Sequence, residues 1–183
     1  MINKKISCII QSRRSVYPNE FNGETIKEDT INQLLENANC APTHKMTQPW
    51  RFKIFCNGSK KKLLDEIITN KLVNDNKKNK LLNSFNKSSH IICICMQKNK
   101  ELLPEWEEIA ATAMAVQNLW ISCVDSNIGG YWSTPKYVNK LRTFLQLNKD
   151  ERCLGFFYLG VHKSKNEKKI KRDNINKKIE WIR

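Results

Sequence analysis

The chain has 183 residues, 40% of them hydrophobic, which suffices for one compact domain with a sizeable core and is short for two. Its formal net charge of +14 would suit a polyanion, but the cations are 25 Lys to 7 Arg, spread along the whole chain among abundant Asn; compositional drift at solvated positions accounts for them, and nucleic acid is not the expected partner. No run of 18 apolar residues occurs and the charged start leads into no apolar segment of secretory length, so the chain is expected to be soluble and cytoplasmic, with no membrane span.

Seven cysteines is an odd number, and most sit in apolar runs such as Ile91 to Met96, as reduced core thiols do. No C-x-x-C occurs, and His44, His90 and His162 are far apart in sequence, so spacing supports no metal site.

In chain order, Ile6, Ile9 and Ile10 at helical spacing predict a helix from about Asn3 to Gln11, ending at the basic turn Ser12-Arg13-Arg14-Ser15. After a polar loop with Pro18 and Gly23, Thr25 to Glu28 offers a capping box for a second helix with Ile31, Leu34, Leu35 and Ala38 on one face, stopped by Pro42. Arg51 to Cys56 reads as a strand bounded by Asn57-Gly58. Leu63 to Val73 reads as a helix, and the polar Asn74 to Lys80 as a surface loop or a helix exterior. The wholly apolar, β-branched run His90 to Met96 predicts a central strand buried on both faces.

Pro104 to Asn127 is the longest periodic segment, with Asn127 placed as a left-handed helix cap, and Ala110, Ala111, Ala113 and Ala115 permit close approach of another helix. Gly129-Gly130 then reads as a flexible elbow before Tyr131-Trp132-Ser133-Thr134. Pro135 is placed to open a helix through about Leu147, with Val138, Leu141, Phe144 and Leu145 inward, and Cys153 to Val161 is a second strongly apolar strand. The basic tail 163–183 ends on Ile179-Glu180-Trp181-Ile182, an apolar end suited to docking on another subunit. Strands separated by helices predict one domain over residues 1–183 with a mixed sheet. Three clear strands are few, so burial of the long helix on a second copy of the chain is attractive.

Three groups can carry chemistry. Ser12 to Ser15 puts two guanidiniums and two hydroxyls within four residues, a phosphate holder or merely a solvated turn at a helix end. The stretch APTHKMTQPWRF, residues 41–52, stiffens a loop with two prolines while His44, Lys45 and Gln48 offer donors; it is either a wall for a planar polar ligand or a root for core Trp50 and Phe52. Gly129 to Thr134 joins two glycines to aromatics and hydroxyls, for a ligand or for a turn. There is no G-x-G-x-x-G, no P-loop and no nucleophile elbow.

The three groups in this order resemble the nitroreductase-like FMN flavoprotein family, and in particular its short single-domain branch of NAD(P)H nitroreductases, in which A-P-x-H-K-x-x-Q-P-W is a recognisable pattern. The likeness runs from Ser7 to Val161. It implies an α+β fold, a central mixed sheet flanked by helices, and an intertwined homodimer with FMN at the interface. By motif, Arg13, Arg14 and Ser15 would hold the phosphate and ribityl chain, Cys40 and His44 would contact the flavin, and Trp132, Ser133 and Thr134 would do so after the glycine pair. The segment of about Ser122 to Asn127 is linked in the family to nicotinamide binding. Cys40 and Ser133 stand where relatives often carry arginine, which would alter flavin potential or substrate charge preference.

The implied activity is that of an FMN-dependent oxidoreductase, with no catalytic side chain: NAD(P)H gives hydride to flavin N5, and a nitroaromatic, quinone or similar acceptor then takes it in the same pocket. Dehalogenation or flavin cleavage on the same cofactor stays open, as does a basic binding protein without redox function.

Overall fold

The computed structural model describes residues 2–99, 102–163 and 172–183. Its principal elements are α1 (Lys4–Ser12), α2 (Glu28–Asn39), β1 (Trp50–Cys56), α3 (Asn57–Thr69), α4 (Asp75–Lys87), β2 (His90–Gln97), α5 (Glu105–Ile121), β3 (Ile128–Ser133) and β4 (Glu151–Val161). The strands form one sheet in the order β1-β2-β4-β3, and every pairing is antiparallel. The expected α+β fold is therefore present, while the sheet expected as mixed is antiparallel throughout the described residues. Among those residues, no helix is long and apolar enough to cross a membrane.

β2 and β4 occupy the middle because their residues are apolar on both faces, as the run His90 to Met96 implied. One face carries Ile92, Ile94, Phe157 and Leu159 against α2 and α5. The other carries Ile91, Phe156, Tyr158 and three thiols, Cys93, Cys95 and Cys153, against α3, α4 and the segment after β3. All seven cysteines are free. Hydrogen bonding to Cys153, together with burial, pushes the thiols of Cys93 and Cys95 up from their ordinary range.

A bulge interrupts the β2–β4 register between Ile94 and Cys95, where the partners step from Gly155 to Cys153 and skip Leu154. The extra residue turns Leu154 toward the α5 face and Cys153 toward the other. Gly155 makes this possible: its φ is +143°, and a Cβ there would lie 2.4 Å from the Ser133 carbonyl oxygen.

Several local expectations change in the fold. α2 begins at Glu28 with Lys27 as an N-cap that makes no side-chain bond, so the Thr25 capping box does not form; the Ile26 N–H is instead bonded by Ser89 Oγ at 2.7 Å. Glu28 and Asp29 in the first turn favour the helix dipole. Asn57-Gly58 does bound β1, as expected, and also opens α3, with Ser59 Oγ accepting from the Cys56 N–H at 2.9 Å. Asn74 to Lys80 falls mostly on the outside of α4, the helix exterior that is one of its two expected readings.

α5 ends at Ile121, and the left-handed conformation expected of Asn127 is taken by Asp125 at φ 59°. Gly129-Gly130 is no elbow: both residues lie inside β3, and a Cβ on Gly130 would come 2.2 Å from the Phe157 ring. The glycines serve close approach rather than flexibility. The helix expected from Pro135 to Leu147 is reduced to a 3₁₀ turn over Val138–Leu141. Arg142 ties this segment to the start of β4 through the carbonyls of Asn148 and Glu151, while Val138, Leu141 and Leu145 still face inward.

Residues 164–171 of the basic tail lie outside the described residues. Beyond them Ile179, Trp181 and Ile182 are exposed, Trp181 at 77%. α1 is amphipathic yet buries no residue, and Ile6, Ile9 and Ile10 face solvent.

Gly155→Ala places a side chain both in a left-handed backbone and against the Ser133 carbonyl, so it is expected to lower unfolding stability by about 2 to 4 kcal/mol, read as a shifted urea midpoint with an unchanged m-value.

Candidate functional site

The turn after α1 is fixed by contacts from two directions. Arg13 caps the helix, its N–H bonding Ile9 O at 3.1 Å, and the Val16 N–H bonds Gly130 O on β3 at 3.1 Å. Between them the Arg13 guanidinium lies over the Trp120 ring, 4.6 Å from its centroid. Trp120 donates its indole N–H to Arg14 O at 3.1 Å and meets Phe157 edge-on at 5.3 Å. Arg14 turns back to the carbonyls of Gln11 and Arg13. One indole thus holds the backbone of one arginine and the charge of the other.

Beside this turn opens a cleft of ≈ 530 Å³, walled by Arg13, Arg14, Trp120, the turn Cys123 to Asn127, the glycine pair of β3 and Lys163. Arg13 Nη1 is buried without a hydrogen-bond partner among the described residues. Burial, then the charges of Arg172 and Arg14, press the Arg13 pKa below its ordinary value. A buried guanidinium donor with two more cations near it and no acceptor costs roughly 1 to 3 kcal/mol, a cost that a bound anion removes. Cys123 also lines the cleft, but burial pushes its thiol up to about 12 and its Sγ is turned to Leu119 O, so it is no nucleophile.

The APTHKMTQPWRF loop stands elsewhere. Cys40 caps the end of α2 and is exposed. From Thr43 to Gln48 the chain winds tightly, with Thr43 Oγ1 3.0 Å from Thr47 Oγ1 and accepting from the Gln48 N–H at 3.2 Å. Lys45, Met46 and Gln48 have φ of 49°, 53° and 43°, which for non-glycine residues costs roughly 1 to 2 kcal/mol each. The loop is rooted as expected: Trp50 is buried and donates to Asn39 Oδ1 at 2.9 Å. His44 reaches the first turn of α5, its Nδ1 2.6 Å from Glu107 Oε2.

Trp132 and Ser133 close β3 opposite Phe157 and Phe156, and Thr134 follows them into solvent. Trp132 Nε1 is buried with no hydrogen-bond partner among the described residues, in a space that Gly155 keeps open. Ser15 is half-buried between Arg14 and Val16.

Of the residues expected from the sequence, Arg13 and Arg14 come together in one cleft, and Ser15, Cys40, His44, Trp132, Ser133 and Thr134 do not line it. Glu107 and Trp120 are thirteen positions apart on α5, about 20 Å along a helix axis, so His44 and the arginine turn meet opposite ends of that helix. Trp120, Lys163 and Glu107 were not expected. Trp120 belongs to the apolar stripe of α5, and nothing in its spacing marks it as the support of Arg13.

The nitroreductase family model matches residues 10–161. The chain belongs to the nitroreductase family. Membership makes it an oxidoreductase. It is 28% identical over 160 residues to "Putative NAD(P)H nitroreductase YfhC" of Bacillus subtilis, covering 83% of this chain and 81% of that one. Its fold matches a nitroreductase-like family protein of Bacillus cereus with a TM-score of 0.85 at 24% identity, over 100% of this chain and 98% of that one. It also matches an NADPH:FMN oxidoreductase of Vibrio harveyi complexed with NAD+, with a TM-score of 0.75 at 14% identity, over 99% of this chain and 78% of that one.

In this nitroreductase-family chain, Trp120→Phe keeps a ring under Arg13 but removes the donor to Arg14 O. The expected result is a loss of about 1 kcal/mol in denaturant unfolding, with the arginine turn the first segment to lose amide-exchange protection.

Proposed function

We propose that the protein is an FMN-dependent NAD(P)H oxidoreductase acting as a homodimer on nitroaromatic, quinone or similar acceptors. The observation that carries the reading is Arg13, which lines a cleft shared with Arg14 under the added charge of Arg172 and whose buried Nη1 has no hydrogen-bond partner among the described residues. A phosphate dianion suits that donor set, so the residues present fit the cofactor that the family implies. Arg13, Arg14 and Ser15 would hold the phosphate and ribityl chain. Trp132 Nε1, which lacks an acceptor among the described residues, would join Ser133 and Thr134 at the polar edge of the ring system. When bound, the flavin supplies a centre that takes a hydride from a nicotinamide and yields it to an acceptor.

The separation of the loop from the cleft favours a site built from two chains, with Cys40 and His44 of one subunit facing the cofactor held by the arginines of the other. Uncovered apolar side chains support the pairing: Ile6, Ile9 and Ile10 on α1, Trp106 and Met114 on α5, and the end of the tail. An obligate dimer interface needs on the order of 2,000 Å² or more, and these faces offer the apolar material for it.

What the chain itself contributes is placement and field. The cations of the cleft favour an anionic phosphate and raise the local concentration of anionic nicotinamide cofactors. Cys40 and Ser133 leave two positions near the ring uncharged.

The Arg13→Ala, Arg14→Ala double variant is expected to weaken FMN binding by roughly 10²-fold or more, the worth of two charge-assisted contacts, while circular dichroism keeps its helical signal. Unchanged affinity would place the phosphate elsewhere. Purified protein should carry a flavin absorption spectrum that NADH or NADPH bleaches anaerobically, and light scattering should return twice the chain mass; a colourless monomer that takes up no added FMN sinks the reading.

A further inference from the structure

Among the described residues, one carboxylate backs His44. Its Nδ1 lies 2.6 Å from Glu107 Oε2, and since a carboxylate only accepts, Nδ1 carries the hydrogen and Nε2 is the outward site of the ring. The exposures agree with that direction: the histidine side chain is 58% exposed and the glutamate behind it 23%. Glu107 is also the acid of its helix turn that is left for this task. Glu105 is engaged by Lys98 and Arg152, and the buried Glu108 accepts the Asn99 N–H at 2.7 Å. The loop that presents His44 is held in three left-handed non-glycine conformations, and strain of this kind persists where the surroundings fix a functional group in one place. Lys45 is the charged neighbour on the loop itself.

We propose that His44 donates the proton that accompanies reduction of the acceptor, and that Glu107 is a positioning residue which fixes its tautomer and orientation. The inference rests on the proposed function, in which this loop faces the bound cofactor of the partner chain. The balance is simple for a quinone. Conversion to a hydroquinone takes two electrons and two protons; a hydride delivers both electrons and one proton, and the imidazolium delivers the other. The Nε2–H bond breaks, an O–H bond forms, and the electron pair of the broken bond stays on Nε2. The ring is left neutral with its Nδ1–H still on Glu107, which also stabilises the cation before transfer, and solvent restores the proton.

The tests separate the two layers. ¹⁵N NMR of the histidine imidazoles, with the His44 signals assigned by their loss in His44→Gln, should show the neutral ring of the unmodified chain as the Nδ1–H tautomer and that of Glu107→Gln shifted toward Nε2–H; an unmoved tautomer overturns the role of Glu107. With FMN bound and a quinone as oxidant, stopped-flow reoxidation in Glu107→Gln should slow at least tenfold more than reduction by the nicotinamide does, with Glu107→Asp partly restoring it. His44→Gln should slow reoxidation by roughly 10²-fold and flatten its pH profile. Normal FMN binding together with reoxidation at the original rate and pH dependence in His44→Gln overturns the proton-donor role alone. A chain that takes up no FMN overturns the proposed function and the donor role with it, while the tautomer measurement still decides whether Glu107 positions the ring.

Discussion

β2 and β4 lie side by side at the centre of the sheet with both faces sealed, and the placement of the remaining parts depends on that pair. Two strands with apolar residues on each side must have a layer above and below, which fixes α2 and α5 on one face and α3 with α4 on the other. β4 then positions β3, whose glycines allow the Phe157 ring and Val16 to approach the backbone. Through the Val16 N–H bond to Gly130, the sheet fixes the turn that carries Arg13, Arg14 and Ser15. A packing constraint at the centre becomes a charge held in place at the edge.

The net charge of the chain and the charge of the cleft are separate matters. A value of +14 is spread over the surface by lysines, where water and salt screen it. In the cleft the cation is an arginine half-removed from water, lying on an indole and pressed by two further guanidiniums. Desolvation makes that small group a more selective anion site than the much larger surface charge. Its Nη1, without a hydrogen-bond partner among the described residues, is a polar cost of the kind that binding sites carry and cores do not.

α5 links the two candidate regions mechanically. Its C-terminal end supplies Trp120 under the arginines, and its N-terminal end supplies Glu107 behind His44. A rigid helix keeps these ends apart, which is why a single chain gathers only part of the expected residues into one cleft. The isoleucines of α1, with Trp106 and Met114 on α5, are left exposed, as the proposed pairing of two chains would require.

The sequence by itself determined the elements whose patterns are local. α1, α2, the long helix and the two apolar strands follow from periodicities that a short window contains, and the RRS turn, the proline-stiffened loop and the glycine pair were legible as chemical groups before any of them was placed. The tertiary structure decided what depends on partners distant in sequence. Gly129-Gly130 read as an elbow because glycine alone signals freedom, and Phe157, a residue of another strand, turned that freedom into close packing. Pro135 to Leu147 has helical spacing, yet only Val138–Leu141 winds into a 3₁₀ turn, and the Arg142 side chain is bonded to the carbonyls of Asn148 and Glu151. Trp120 under Arg13 and Glu107 behind His44 were invisible for the same reason: each contact joins residues more than sixty positions apart, and no periodicity along the chain encodes which side chains a sheet will bring together.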